Sequence, residues 1–219
     1  MIRLLVPLAL LSLAAGGCSD STPDNGATNT STGVNAAASE AKASEPLPDV
    51  VRVRLETAEG PITLQLDAKR APITARNFVR YVEAGRFDGT TFYRAARTKG
   101  DEKEGFIQGG IRRSYRRMFP PIAHEPTTKT GLRHEAGTIS MAYREPGYAM
   151  GDFFITTKAM PGMDAKPGEP GFAAFGKVVD GMATVRKILA SPTDEGGSGA
   201  MKGQMITEPV KIGTARRVE

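Results

Sequence analysis

The chain has 219 residues, a formal net charge of +5 and a single cysteine, which excludes an intramolecular disulfide and argues against thiol catalysis. The length suits one domain, or one domain with an appended segment, because single cores usually occupy roughly 100 to 200 residues. Hydrophobic residues make up 40% of the chain, enough for a core, while 25 glycines and 15 prolines indicate many turns and few long helices. These numbers favour a β-rich protein.

The N-terminal residues predict an export signal. Arg3 precedes an apolar run over residues 4–15, which is too short to cross a bilayer but typical of a signal peptide. The sequence LAAGGC over residues 13–18 resembles a bacterial lipobox, and this resemblance implies acylation of Cys18 and cleavage before it. We therefore expect a lipoprotein signal peptide over residues 1–17. The alternative is an ordinary secretory signal followed by an incidental cysteine.

A flexible tether is predicted over residues 18–49. This segment is rich in Ser, Thr, Asn and Ala, has no aromatic residue and shows no apolar periodicity, so it lacks the side chains needed for a core. Its charge is near −4, whereas residues 50–219 carry a charge near +8. The sequence thus predicts a lipid-anchored tether followed by one folded domain over residues 50–219.

The remaining sequence consists of short predicted strands with two helices. Alternation of apolar and polar residues predicts an opening hairpin over residues 51–55 and 62–66. Apolar residues at helical spacing predict a first helix between Pro72 and Gly85, and a second over residues 182–190. Further apolar runs predict strands at residues 91–95, 137–143, 153–157, 172–179 and 206–213. This order indicates a mainly β fold, a closed antiparallel barrel capped by two helices.

Five short motifs follow one another along this domain: Phe92-Tyr93-Arg94, GFIQGG over residues 105–110, GTISMA over 137–142, DFFI over 152–155 and FAAFGKV over 172–178. In this order they resemble the signatures of the cyclophilin-type peptidyl-prolyl cis-trans isomerases, and the resemblance covers essentially the whole domain. It implies an eight-stranded cyclophilin-like barrel that isomerises X-Pro bonds without a cofactor.

The chemistry of this reaction explains why a fixed cation would be needed. Rotation about a peptide bond costs about 18–20 kcal/mol, and X-Pro bonds isomerise unaided over tens to hundreds of seconds. A twisted bond leaves the prolyl nitrogen a better hydrogen-bond acceptor, so a donor aimed there stabilises the transition state more than the ground state. The resemblance assigns this catalytic role to Arg94, whose guanidinium presents several donors in a fixed fork. It assigns Gln108 to orienting the arginine and contacting substrate.

The resemblance also implies a substrate-binding pocket. Composition alone would place its apolar members in an ordinary core, but their motif positions make them an expected pocket for the proline ring: Phe106, Phe154, Met163 and Phe172. Ala142 and Asp152 complete the expected substrate-binding set.

The chain departs from the family pattern at several positions. Residues 97–104 form a charged insertion, Gly105 stands where a pocket phenylalanine often lies, and Phe172 replaces a frequent histidine. Asp152 replaces a frequent glutamine, and a carboxylate near Arg94 would hold the arginine yet compete with substrate for its donors. These departures keep an alternative open, in which the domain is a proline-segment binding or chaperone-like module with little turnover.

A basic cluster raises the question of further partners. A nucleic-acid patch is one interpretation, but the export signal favours a solvated loop or a surface attracted to anionic envelope components. The cluster surrounds Tyr115 and consists of Arg112, Arg113, Arg116 and Arg117.

The two histidines, His124 and His134, lie ten residues apart with no further ligand cluster, which makes a poor metal site, and both are expected to be structural. A hydrolase triad has no better support.

The expected partners are proline-containing polypeptide segments and a membrane, reached through Cys18, with no nucleic acid. We expect a monomer whose domain lies in the periplasm, and Ser19 favours the outer membrane if the host is diderm.

Overall fold

The computed structural model describes residues 46–112 and 114–219. The predicted signal peptide, Cys18 and most of the predicted tether lie outside the described residues. Arg113 of the basic cluster lies outside them as well.

The described residues form nine β-strands and three α-helices. The strands are β1 (Val50–Thr57), β2 (Gly60–Asp67), β3 (Thr91–Thr98), β4 (Asp101–Gly110), β5 (Thr138–Met141), β6 (Asp152–Thr156), β7 (Ala173–Asp180), β8 (Thr193–Asp194) and β9 (Met205–Val218). The helices are α1 (Pro72–Glu83), α2 (Thr127–Thr130) and α3 (Met182–Leu189). Short 3-10 turns occur at Tyr115–Arg117, Pro161–Met163 and Gly199–Met201.

The sheet closes on itself. Its order is β1-β2-β7-β5-β6-β4-β3-β9, every pairing is antiparallel, and β9 also pairs with β1. The two-residue β8 is added only at the side of β9. The result is a closed eight-stranded barrel, and the predicted mainly β fold is confirmed.

Every second side chain of the opening hairpin points into the barrel interior, as the alternation of apolar and polar residues in its sequence predicted. Every second residue from Val51 to Leu55 and from Ile62 to Leu66 is buried. The ring of Phe78 in α1 lies 4.9–5.4 Å, between centroids, from three other core rings: Phe87, Phe153 and Phe175. Helix α1 packs on β9, β7 and β2, and α3 packs on β4, β3 and β2. Both predicted helices are therefore present, and the one-turn α2 is an addition.

Helix α1 receives its N-terminal cap from a distant carboxylate. Pro72 suits the first helical position because it lacks an N–H that would be unpaired there. Glu125, only 2% exposed, accepts bonds from the amides of Ile73 (3.2 Å) and Thr74 (2.7 Å) and from the Thr74 hydroxyl (2.6 Å). A carboxylate is favoured at this end of the helix dipole. This contact ties the loop before α2 to the start of α1.

The charged insertion, residues 97–104, forms the end of the hairpin of β3 and β4. Strand β3 continues to Thr98 and β4 begins at Asp101, with a register shift between Arg97 and Thr98. At Gly105, opposite Arg97, an added Cβ would collide with the carbonyl oxygen of Ala96. This close approach requires glycine and leaves no room for a pocket phenylalanine. Among the described residues no helix is long and apolar enough to span a membrane.

Candidate functional site

The first two predicted site residues meet because β3 and β4 pair. Arg94 and Gln108 are Cα partners across this antiparallel pair, so their side chains lie side by side. The Nη1 of Arg94 donates to Gln108 Oε1 at 2.9 Å, its Nε to Gln204 Oε1 at 2.9 Å, and its Nη2 to the Ala200 carbonyl at 3.1 Å. These bonds fix the plane of the guanidinium, which has further N–H groups to offer a ligand.

A chain of polar groups continues beneath the arginine. The buried Gln108 donates from Nε2 to the Tyr93 hydroxyl at 2.8 Å, and that hydroxyl also bonds to Asp152. Burial, and then the charge of Asp152, raise the pKa of Tyr93, so the phenol stays protonated. Partial burial lowers the pKa of Arg94 because the cation loses hydration. Neutral groups thus hold a cation that has lost part of its hydration.

Asp152 bonds to a turn beside the site as well as to the Tyr93 hydroxyl. Its Oδ1 accepts the amide of Arg112 at 2.9 Å, and Arg112 has φ +43°, the one positive φ at a non-glycine among the described residues. The Arg112 guanidinium lies 5.4 Å from the centre of the Tyr93 ring. The carboxylate therefore anchors a strained turn beside the site, whereas the bonds of Arg94 described above go to amide and carbonyl oxygens.

Aromatic rings form an apolar surface next to the cation. The Arg94 guanidinium carbon lies 4.9 Å from the centre of the Phe106 ring. Phe106 lies 5.4 Å from Phe154, which meets Phe172 edge-to-face at 5.2 Å, and Tyr143 lies 4.9 Å beyond Phe172. Phe154 is buried, while Phe106 and Phe172 are partly exposed. The arrangement offers an apolar surface with a fixed donor at its edge.

The other predicted site residues lie around this surface. The Met163 carbonyl accepts the Phe172 amide at 2.9 Å, which brings the two ends of their loop together. The amide of Ala142 donates to the Asp152 carbonyl at 2.9 Å. Ala142, Asp152 and Gln108 line one open cavity of about 400 Å³, shared with Tyr93, Arg112 and Tyr148 among others.

Three contributing residues were not singled out from the sequence. Tyr93 lies inside the Phe-Tyr-Arg motif, which could have indicated it. Tyr143 follows the GTISMA motif directly, and its hydroxyl donates to the Gly171 carbonyl. Gln204 lies in a glycine-rich loop, far along the chain from Arg94, and no pattern in the sequence marks it.

His134 has a set of contacts that invites comparison with a hydrolase. Its Nδ1 lies 2.6 Å from Asp164 Oδ1 and its Nε2 lies 3.0 Å from Ser140 Oγ, in the order of a catalytic triad. Ser140 is fully buried, however, so its hydroxyl cannot reach a substrate carbonyl. Within the described residues, no group of three or more His, Cys, Asp or Glu side chains could hold a metal ion.

The chain is similar to proteins of one known family. A model of the family described as cyclophilin type peptidyl-prolyl cis-trans isomerase/CLD matches residues 52–217. The chain is 38% identical over 150 residues to peptidyl-prolyl cis-trans isomerase A of Dickeya dadantii, covering 66% of this chain and 74% of the relative. It is 34% identical over 164 residues to a peptidyl-prolyl cis-trans isomerase of Acinetobacter baylyi, covering 73% and 81%.

Solved structures share the fold. A cyclophilin type peptidyl-prolyl cis-trans isomerase of Cryptosporidium parvum superposes with a TM-score of 0.62 at 21% identity, covering 78% of this chain and 98% of that one. A second structure of it, in the presence of the dipeptide Ala-Pro, gives the same TM-score and identity.

Proposed function

The chain belongs to the cyclophilin-type peptidyl-prolyl cis-trans isomerase family, and from that premise we propose that it isomerises X-Pro bonds of bacterial envelope proteins, with Arg94 as the catalytic residue. Membership of this family makes the protein an isomerase enzyme. The residue roles, the clients and the location are the proposal.

The fixed guanidinium of Arg94 is the observation that carries the catalytic assignment. Gln108 and Gln204 hold two of its edges at 2.9 Å, so little reorganisation is needed when a ligand arrives. A prolyl nitrogen that loses conjugation as its bond twists gains a lone pair, and a donor already aimed at it stabilises the transition state selectively. This role needs no proton transfer, so the rate should stay nearly constant from about pH 6 to 8.

The apolar surface beside Arg94 would bind the proline ring. Phe106, Phe154 and Phe172 present ring edges and faces at contact distances of one another, and partial exposure of the first and last leaves apolar area for a ligand. Burial of a ring on this surface would be favoured by roughly 25 cal/mol per Å² of apolar area. The pocket would thereby place the prolyl nitrogen near the guanidinium.

The hydrogen-bond partners of Arg94 favour the enzyme over a slow binding module. A carboxylate bonded directly to Arg94 would compete with substrate for its donors, and Asp152 has contacts with the Arg112 amide and the Tyr93 hydroxyl. The arginine instead has neutral acceptors as partners. Neutral acceptors leave the positive charge available to the substrate.

The direct test is the rate of cis-to-trans conversion in chromogenic tetrapeptides that contain proline. The enzyme proposal predicts a kcat/KM well above the uncatalysed rate for at least one residue before proline. Peptide binding without any acceleration, across a series of residues before proline, would instead establish the binding module.

We further propose that Cys18 is acylated and holds the domain at the periplasmic side of an envelope membrane. The lipobox-like run before Cys18 and the polar tether after it support this location. Intact-mass measurement of protein extracted from membranes should show acyl chains on the N-terminal cysteine, and Cys18→Ala should release the domain or leave the precursor uncleaved. An unmodified cysteine in the extracted protein would contradict the anchor.

A further inference from the structure

A buried histidine lies beneath the apolar pocket and contacts three of the segments that build it. His134 is 1% exposed. Its ring stacks on Phe154 of β6, with centroids 5.9 Å apart and planes inclined by 10°. Its two ring nitrogens contact Asp164, in the loop after the Pro161–Met163 turn, and Ser140 of β5. None of these contacts is used by the reaction chemistry proposed above.

The bonds to Asp164 hold the loop that carries Met163. Oδ1 of Asp164 accepts from both the backbone amide of His134 (3.0 Å) and its Nδ1 (2.6 Å), while Met160 donates its amide to the His134 carbonyl at 2.7 Å. The carbonyl of Met163, directly before Asp164, receives the Phe172 amide. His134 thus connects the loop that carries Met163 to the Phe154 ring of the pocket.

The hydrogen-bond pattern defines the protonation state. An ionised carboxylate only accepts, so Nδ1 of His134 carries a proton and donates it to Asp164. In the neutral imidazole, Nε2 then accepts from the Ser140 hydroxyl at 3.0 Å. Ser140 is fully buried and depends on a partner inside the protein.

We propose that His134 is a positioning residue for the isomerase: neutral, it holds Phe154 and the Met163 loop in the geometry that accepts a prolyl ring, and protonation of Nε2 breaks its bond to Ser140 and disturbs that geometry. This inference rests on the proposed function, because it concerns the pocket assigned to the proline ring.

Protonation changes each contact in a defined way. A proton on Nε2 removes the acceptor of the buried Ser140 hydroxyl and turns the neutral ring stacked on Phe154 into a cation, whereas the bond to Asp164 becomes charge-assisted and stronger. The groups that face the imidazole are Asp164 from the loop, which is titratable, and the neutral Ser140 and Phe154 from the two strands. Burial lowers the pKa of His134, and the Asp164 bond offsets only part of that effect. The neutral form therefore persists through neutral pH and is lost in acid.

The test compares pH profiles of two matched histidine variants. Full-length protein in detergent should show kcat/KM nearly constant from about pH 8 to 6 and falling several-fold below that, through a rise in KM, while circular dichroism remains native. In His134→Asn the side-chain amide can still donate to Asp164 but does not titrate, so KM should rise at pH 7 and the acid fall should disappear. His124→Asn should keep the acid fall.

A second variant keeps the test decisive if His134→Asn does not fold. Ser140→Ala removes the donor that favours neutral Nε2, so the acid midpoint should move to higher pH. A wild-type profile without an acid fall, an acid fall that survives His134→Asn, or a midpoint unmoved by Ser140→Ala would each overturn the inference. The pH dependence of proline-peptide affinity gives the same readout if turnover is absent. Absence of turnover would therefore refute the proposed function without deciding this inference.

Discussion

Two glutamines hold the guanidinium of Arg94 in a fixed orientation. Removal of this guanidinium should destabilise the transition state and so lower the rate. Removal of one pre-aligned donor from such a site typically costs about 10²–10³ in rate, and each tenfold loss corresponds to roughly 1.4 kcal/mol. Arg94→Ala should lower kcat/KM by about this factor, and Arg94→Lys should recover little, because an ammonium has no planar fork.

The control for this prediction is Arg54→Ala, at an exposed arginine on β1 whose side chain pairs with Glu56. It should keep the wild-type rate. Both variants should unfold near the wild-type temperature. Full activity in Arg94→Ala would show that another group stabilises the twisted bond.

At the residue scale most of the residues predicted for the site lie close together in the structure, because the family motifs that contain them lie on paired strands. Arg94 and Gln108 appear in separate motifs, and their facing positions follow from the β3–β4 pairing. Gln204 could not be predicted, because its contact with Arg94 depends on how a patternless loop folds back over β3. The anchoring of Arg112 by Asp152 was also not predicted, since it depends on a strained backbone conformation rather than on residue type.

Helix α1 depends on a carboxylate from another part of the chain. Glu125→Ala would leave the Ile73 and Thr74 amides without their buried acceptor and remove a favourable charge from the helix N-terminus. We expect the free energy of unfolding to fall by about 1–3 kcal/mol, measured by urea denaturation.

The matched control is Glu145→Ala, at an exposed glutamate, which should change stability by less than about 0.5 kcal/mol. Equal stability of the two variants would show that solvent replaces the Glu125 cap.

At the element scale, prediction succeeded wherever one side of a strand faces the core. The hairpin of β1 and β2 shows that pattern clearly, with alternate residues buried. Strand β4 lacks it: its first three residues, from Asp101, are exposed, and its last residues, through Gly110, are buried in succession. A charged start and a glycine-rich end give no period of two, so this strand was not among those predicted from the sequence.

The thermal stability of the domain should not depend on the residues before Pro46. Within the described residues, Leu47 packs against the core and the Asp49 carbonyl accepts the Lys69 amide at 3.1 Å. A fragment over 46–219 should therefore unfold at the same temperature as a fragment over 19–219, since residues 19–45 lack the apolar residues to offset their ordering entropy.

A shorter fragment, 50–219, provides the comparison. It loses the Leu47 contact and the backbone bond of Asp49, so differential scanning calorimetry should show a lower melting temperature than for 46–219. A lower melting temperature for 46–219 than for 19–219 would show that residues 19–45 stabilise the domain.

The pairing of β1 with β9 also sets the order of events during biosynthesis. Of the described strands, a ribosome releases β1 first, but β9, the neighbour that closes its second edge, is made after all the others. At about 5–20 residues per second, that edge stays open for on the order of ten seconds or more, and an open strand edge invites pairing with other chains. The nascent barrel is therefore exposed to edge pairing with other chains until β9 has emerged.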